Sequence, residues 1–405
     1  MPTPSSVLVV VGTRPEAIKL APLIHALRAD PAFSVTTCIT SQHRELLHSM
    51  LDFFAVPYDV DLQVMRPRQS LAELTCNVLR GLDEVLANKP FDWVVSQGDT
   101  TTAFIAGLAA FYRHVRVAHV EAGLRSGDLQ RPFPEEANRR LVDTVSDYLF
   151  APTEQARQNL RAEGYADERI FVTGNTGIDA LLSAADIVRK SERPLPIQLP
   201  TDRRSRLALV TAHRRESFGD GMTRICQSIV QLTAAHPDLH VLYPVHPNPN
   251  VVEATERTLR GRERIHLVAP LEYPDFVSAL LRADLILTDS GGVQEEAPAL
   301  GKRVLVLRET TERPEGVDAG VAELVGTDID RIVSRATALL SETRSDRTQV
   351  SSPYGDGRAS QRIVEVLKTG ALAQPFATPA AAGNDALRPR SVEPAVGRAR
   401  SSDAA

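Results

Sequence analysis

The sequence predicts an α/β protein of two parallel-sheet domains that face each other across a central cleft, and three observations point there. Short β-branched runs alternate with longer amphipathic stretches from one end of the 405-residue chain to the other, which is the pattern of repeated βα units. The runs fall into two sets of six, separated by a segment marked by Pro194, Pro196 and Pro200. Nearly every polar cluster of note sits just after a predicted strand. In an open α/β sheet that is where ligands bind, because the strand's carboxyl end leaves a crevice and the next helix points its amides into it.

In order along the chain, strands are expected at 7–11, 35–39, 93–96, 115–120, 148–151 and 170–173 in the first half. In the second half they are expected at 207–211, 240–245, 265–268, 285–288, 303–307 and 323–325. Two sets of six read as two Rossmann-like domains, residues 1–182 and 183–357, with a hinge region over 183–206. A last helix within 358–369, following Tyr354-Gly355-Asp356-Gly357, is placed to cross back onto the first domain. Residues 370–405 are Ala, Pro, Gly, Ser and Arg with almost no large apolar residue, so disorder is expected there.

Composition bounds the function. The chain is 43% apolar and 24% charged, the balance of a globular protein. A net charge of −5 argues against a broad nucleic-acid or anionic-membrane surface, so any phosphate must be met by local cations. Cys38, Cys76 and Cys226 are odd in number and widely spaced, which fits a reducing compartment and points to neither a disulfide framework nor a zinc site. The N-terminus has five apolar residues at 7–11 where a secretory signal needs a basic start and a run of ~7–15. A soluble, cytoplasmic protein with no membrane or nucleic-acid partner is expected.

The first motif is Gly12-Thr13-Arg14-Pro15-Glu16-Ala17-Ile18-Lys19, after the first strand. Gly12, Thr13 and Pro15 are explained by helix initiation alone, whereas Arg14 and Lys19 are not. Gln97-Gly98-Asp99-Thr100-Thr101-Thr102 and His119-Val120-Glu121-Ala122-Gly123-Leu124-Arg125 follow the third and fourth strands. Asp99 could merely cap a helix, but Glu121 ends an apolar strand, a costly place for a carboxylate unless it is paired or used. Pro134-Glu135-Glu136 opens a helix, and acidic residues favour that position through the helix dipole. Were Asp99, Glu121 and Glu135 to converge, they would supply acid and base for proton transfer at carbon.

In the second half, Thr211-Ala212-His213-Arg214-Arg215-Glu216 offers a histidine and two guanidiniums to an anion. Tyr243-Pro244-Val245-His246 is a similar strand end, although a lone histidine such as His246 is more often structural. The most specific run is Thr288-Asp289-Ser290-Gly291-Gly292-Val293-Gln294-Glu295-Glu296. Ser290, Gly291 and Gly292 let phosphate oxygens approach bare amides at a helix start. Glu296 lies one turn on, over Gly292, where its two oxygens could accept from both ribose hydroxyls. Arg313, after the next strand, is a further candidate for pyrophosphate or sugar.

Taken together with Pro353-Tyr354-Gly355-Asp356-Gly357, these motifs resemble, in the same order and over residues 7–368, the non-hydrolysing bacterial UDP-N-acetylglucosamine 2-epimerases. The resemblance implies a glycosyltransferase-B-like architecture and interconversion of UDP-GlcNAc and UDP-ManNAc through loss of UDP to a 2-acetamidoglucal, without metal or redox cofactor, in the supply of cell-surface polysaccharide precursors. By matching position, it implies catalytic roles for Asp99, Glu121, Glu135 and His213. It likewise implies substrate contacts for Arg14, Lys19, Leu271, Phe276, Ser290, Gly291, Gly292, Glu296 and Arg313, with Phe276 in a loop that frames the uracil and Leu271 acting through its backbone. Gln42, His43, Arg68, Arg214 and His246 match the region where bacterial members bind a second substrate molecule as activator, and Glu45 departs from the glutamine some members carry. A homodimer is implied as well. The alternatives are a 2-epimerase of another UDP-amino sugar, such as a diacetamido uronic acid, or a glycosyltransferase of the same fold.

Overall fold

The computed structural model describes residues 3–41, 44–66, 68–199, 205–342 and 352–377. Gln42, His43 and residues 378–405 of the predicted tail lie outside the described residues.

Strand β1 (Ser5–Val11) shows why these runs become central strands, since Val7 to Val11 are each at most 2% exposed. A parallel strand covered by helices on both faces reads as a continuous apolar run instead of an alternating one. It is joined by β2 (Phe33–Ile39), β3 (Val60–Asp61), β4 (Trp93–Gln97), β5 (Arg116–Val120), β6 (Tyr148–Ala151) and β7 (Ile170–Val172) in a parallel sheet of order β3-β2-β1-β4-β5-β6-β7. The sequence did not reveal β3, because two residues at a sheet edge carry no periodic signal. The second sheet is built from β8 (Arg206–Thr211), β9 (Leu239–Pro244), β10 (Ile265–Val268), β11 (Leu285–Thr288), β12 (Val304–Val306) and β13 (Ala322–Leu324), again all parallel. Its order, β10-β9-β8-β11-β12-β13, is that of a doubly wound dinucleotide-binding sheet. In each sheet the strand order reverses between two central strands, β1 and β4 in the first and β8 and β11 in the second. Those reversals open a crevice at the carboxyl ends.

Helices α1 (Arg14–Ala29), α2 (Arg44–Phe53), α3 (Leu71–Asn88), α4 (Thr101–Tyr112), α5 (Glu135–Val145) and α6 (Glu154–Ala162) belong to the first sheet. Helices α8 (Asp220–Ala235), α9 (Pro249–Leu259), α10 (Tyr273–Arg282), α11 (Gly291–Ala299), α12 (Pro314–Asp318) and α13 (Ile329–Ser341) belong to the second. Between them α7 (Thr176–Lys190) packs against α1 on one side and α10 and α11 on the other. The expected hinge over 183–206 therefore begins inside a helix, and only the stretch after Lys190 is irregular among the described residues. Apolar positions Ile178, Leu181, Ala184, Ala185 and Val188 keep that helix going by burying its face.

The chain returns through Tyr354, whose carbonyl accepts from Asn175 N at 2.9 Å and whose hydroxyl accepts from Gly316 N at 2.9 Å, touching both halves. Helix α14 (Ala359–Thr369) then lies on α1 and α7. Its first amides, Ala359 N and Ser360 N, donate to the Asp179 carboxylate of α7 at 3.2 and 2.7 Å, and near its end Lys368 pairs with Asp30 at 2.8 Å. The expectation of disorder from residue 370 is corrected over the segment up to 377. Phe376 is 7% exposed, its amide donates to Val172 O at 2.8 Å, and the Arg362 guanidinium lies 5.8 Å from its ring centroid. One aromatic with a pocket and a free carbonyl at the end of β7 outweighs a polar composition. No described helix is long and apolar enough to cross a membrane.

Candidate functional site

The two switch points face each other, and the loops after β1, β4 and β5 meet those after β8, β9, β11 and β12. After β1 the chain turns straight into α1, and Glu16 reaches back to accept from Gly12 N at 2.7 Å and from Thr13 N. Its other oxygen accepts from Thr100 Oγ1 at 2.5 Å, stapling the β1 loop to the β4 loop. Burial raises the Glu16 carboxyl to about 7 against these hydrogen bonds. Thr100, not Asp99, caps α4, since its Oγ1 accepts from Ala103 N at 3.1 Å. The helix-cap explanation of Asp99 thus fails. The Asp99 carboxylate meets Arg139 instead, while its carbonyl accepts from Asn138 Nδ2 at 3.0 Å.

At the end of β5, Glu121 sits at φ +70°, a left-handed conformation that a non-glycine residue adopts at a cost of about 1–3 kcal/mol. The turn aims its carboxylate at Lys19 Nζ, 2.7 Å from both oxygens, and at the Gln97 amide. Burial disfavours the Lys19 ammonium, but Glu121 and then Glu295 outweigh it and hold its pKa above the ordinary value. Beneath this pair, buried His119 bridges Asp143 (2.6 Å) and the Gly98 carbonyl (2.8 Å), and Arg125 completes the Asp143 carboxylate at 2.7 Å. Asn138, Arg139 and Asp143 all come from α5, so that helix is the platform for the Asp99 loop.

The expected convergence of three carboxylates is realised for two. Asp99 and Glu121 line one cavity of about 270 Å³, with Lys19, Gln97 and Arg139. Glu135, the first residue of α5, is half-buried and not among the lining residues. Its neighbour Glu136 is the one turned inward, accepting from Ser126 N at 3.0 Å, Arg139 at 3.1 Å and Arg140 at 3.1 Å. Burial alone would raise the Glu136 pKa, but these donors hold it below the ordinary carboxylate value.

Lys19 also lines a larger cavity of about 510 Å³ between the halves. Arg14, Leu271, Phe276, Ser290, Gly292 and Glu296 line it, as do His213 and His246, so most of the predicted contacts come together here. Phe276 belongs to the first turn of α10 and not to a loop, since the helix begins at Tyr273 with Pro274 favouring its first turn. The two glycines divide the labour. A Cβ on Gly291 would lie 2.6 Å from Arg313 Cζ, so this glycine makes room for the guanidinium, whereas a Cβ on Gly292 would meet nothing nearer than Ser290 Oγ at 3.9 Å. Of the two, only Gly292 lines the cavity. The Ser290 side chain does not cap α11, and the helix's first-turn amides have no acceptor within the helix, so an anion is favoured there.

Arg313 is fixed by Glu295 at 2.8 Å, and Glu295 in turn accepts from Asn175 Nδ2 at 3.0 Å across the domains. Glu296, by contrast, has its pKa raised to about 7, chiefly by burial and then by Glu295, with Lys19 opposing. His213 stacks on His246, with ring centroids 5.1 Å apart and planes at 13°. Its pKa is lowered by burial first, and the cationic influence of His246 and Arg214 adds to this against Asp289. Arg214 lines an adjoining cavity of about 530 Å³ with Glu121 and Arg313. Arg68 is exposed on the loop after β3 and lines none of these cavities.

The sequence reading assigned no individual role to Gln97, Arg139, Asn175 or Glu295, although Gln97, Arg139 and Glu295 hold Glu121, Asp99 and Arg313, which it did single out, and Asn175 holds Glu295. Glu16 had a legible signal, being the acidic residue three positions after Thr13, where a capping box closes.

A sequence profile described as UDP-N-acetylglucosamine 2-epimerase matches residues 25–368. The UDP-N-acetylglucosamine 2-epimerase of Yersinia pestis is 52% identical over 369 residues, covering 89% of this chain and 98% of its own. That of Bacillus subtilis is 48% identical over 364 residues, covering 89% and 94%. Among solved structures, the UDP-GlcNAc 2-epimerase of Neisseria meningitidis bound to UDP-GlcNAc superposes with a TM-score of 0.76 at 44% identity, covering 89% of this chain and 99% of that one. The paired doubly wound sheets are the glycosyltransferase-B-like architecture those relatives share, and the chain belongs to the UDP-N-acetylglucosamine 2-epimerase family.

Proposed function

We propose that this chain interconverts UDP-GlcNAc and UDP-ManNAc without net hydrolysis. The observation that carries the reading is that the carboxylates of Asp99 and Glu121 and the N-terminus of α11 open onto two cavities that adjoin at Lys19. A nucleotide sugar with UDP on the α11 side places its reacting carbons beside the carboxylates.

In the elimination, a carboxylate removes the proton from sugar carbon 2, and the electron pair forms the C1–C2 double bond. The C1–oxygen bond breaks, with its electrons leaving on UDP. Protonation of carbon 2 from the opposite face and return of the same UDP oxygen to carbon 1 complete the epimerisation, so only one configuration changes. Asp99 and Glu121 exchange the protons, with Glu135 as a third acid or base candidate at the edge of the site. Arg313, Ser290, Gly292 and the α11 amides stabilise the departing diphosphate, and His213 protonates or hydrogen-bonds it. Glu296 accepts from the ribose, while Leu271 and Phe276 frame the base. Lys19 donates to both oxygens of Glu121 and so aims its carboxylate.

The same reading takes the protein to be a cytoplasmic homodimer, with UDP-GlcNAc also acting as an activator held by Arg68, Arg214 and His246 together with Gln42 and His43. Supporting it are the sequence likeness to the bacterial family and the net charge of −5. The reaction is tested by incubating the protein with UDP-GlcNAc in deuterated water and following carbon 2 by NMR. Deuterium at carbon 2 with intact UDP-sugar is expected, and release of UDP with free sugar, or no exchange, would sink the proposal. Asp99→Asn should abolish exchange while UDP binding by calorimetry stays within about threefold of wild type.

A further inference from the structure

Asp289, at the end of β11, is 0% exposed yet has one carboxylate oxygen fully used and one idle. Oδ2 accepts from His213 N at 2.6 Å and Arg214 N at 2.7 Å. Oδ1 accepts no hydrogen bond from the described residues, and His213 Nδ1 lies 3.6 Å from it. A buried carboxylate oxygen without a donor is uncommon, and here the ring nitrogen beside it is within a small rotation of hydrogen-bonding distance. His246 stacks flat on the His213 ring and fixes its plane, so that motion stays in plane and keeps Nε2 as the other free position. The titratable or charged groups acting on this ring are Asp289, His246 and Arg214, and Arg14, Lys19 and Glu296 line the same cavity.

We propose that Asp289 is a positioning residue that selects the Nδ1–H form of His213 and so presents Nε2 to the ligand cavity. Nε2 gains its proton when an anion enters, because Asp289 holds the positive ring from behind while the diphosphate meets it in front. That gives an acid able to protonate the leaving diphosphate and recover the proton on its return. The argument rests on the reading that this cavity takes UDP. Asp289→Asn keeps the shape and the two backbone contacts through its carbonyl oxygen, but turns an NH2 donor toward Nδ1. His213 must then carry its single proton on Nε2, where it can still donate to phosphate but is no longer a cation.

The test is long-range nitrogen–proton NMR of the full chain, with the His213 signal assigned by its loss in His213→Gln. In free wild-type protein the proton should sit on Nδ1, and addition of UDP should protonate both nitrogens. In Asp289→Asn it should sit on Nε2 with no second proton on UDP addition. Turnover of UDP-GlcNAc by that variant should show kcat lower by about 100-fold with KM within about threefold. An Nε2–H form in wild type, an unchanged form in the variant, or a loss confined to KM overturns the assignment. Failure of UDP to bind at all would count against the proposed function, while the free-protein ring still decides the role of Asp289.

Discussion

The Glu296 carboxyl offers a quantitative check on how the nucleotide is held. Its pKa of about 7, raised by burial and then by Glu295, makes its charge change between pH 6 and pH 8. A group with that value is about nine-tenths ionised at pH 8 and about one-tenth at pH 6. If the ionised form is what accepts from the ribose hydroxyls, affinity for UDP-GlcNAc should fall about tenfold between those pH values, about 1.4 kcal/mol. UDP-GlcNAc is the ligand of choice because its phosphates do not titrate there. His213 works in the opposite sense, since its protonation at low pH favours an anion, so the comparison must be made with Glu296→Gln. In that variant the Glu296 component vanishes, and affinity at pH 8 should be lower than wild type by the worth of charged hydrogen bonds, about 1.5–3 kcal/mol. Calorimetric titration at the two pH values, with both proteins, measures each quantity. A Glu296→Gln variant that binds like wild type at pH 8, or shows the same change between pH 6 and pH 8, refutes the reasoning.

The two glycines of α11 should separate by assay. Gly291→Ala pushes its Cβ to 2.6 Å from Arg313 Cζ, so it should displace that side chain from Glu295 and weaken UDP binding at least about tenfold, whereas Gly292→Ala, with open space around it, should keep or raise the melting temperature and still lose UDP affinity. Wild-type affinity in Gly292→Ala would remove that amide from the ligand. Glu16, raised from 4.5 to about 7, binds its proton more tightly folded than unfolded, so its contribution to stability is fully present below about pH 4.5 and is lost as pH rises toward 7. Urea unfolding should show about 2.5 kcal/mol less stability at pH 8 than at pH 5 from this group, and Glu16→Gln should remove that slope; equal slopes in the two proteins contradict it. Phe376→Ala should cost about 1.5–3 kcal/mol, measured by the same method, and no change would return that segment to the disordered tail.

The fold was legible because parallel strands announce themselves locally. Among the described residues, twelve of the thirteen strands coincide with runs read from the sequence, and their order along the chain already places the motifs at carboxyl ends. The glycine pair of α11 and the odd carboxylate closing β5 were readable for the same reason, as each breaks the local rule for its position. Helix α5 was harder. Three of its four buried residues, Glu136, Asn138 and Asp143, are polar, so hydrophobic periodicity could not tell which of Glu135 and Glu136 turns inward. Whether Asp99 or Thr100 caps α4 depends on one backbone turn that both residues would suit.

What the sequence determined by itself is therefore the two-sheet architecture and the set of loops that carry the chemistry, because strand burial and turn geometry depend on neighbours in the chain. Only the tertiary structure decided the pairings across those loops: Lys19 with Glu121, Asp99 with Arg139, Asn175 with Glu295 and Asp289 behind His213. Each joins residues 40 to 120 positions apart. A charge buried at such a distance is stabilised by a partner that no local pattern names, and packing of the helices against the sheets is what brings the partner there.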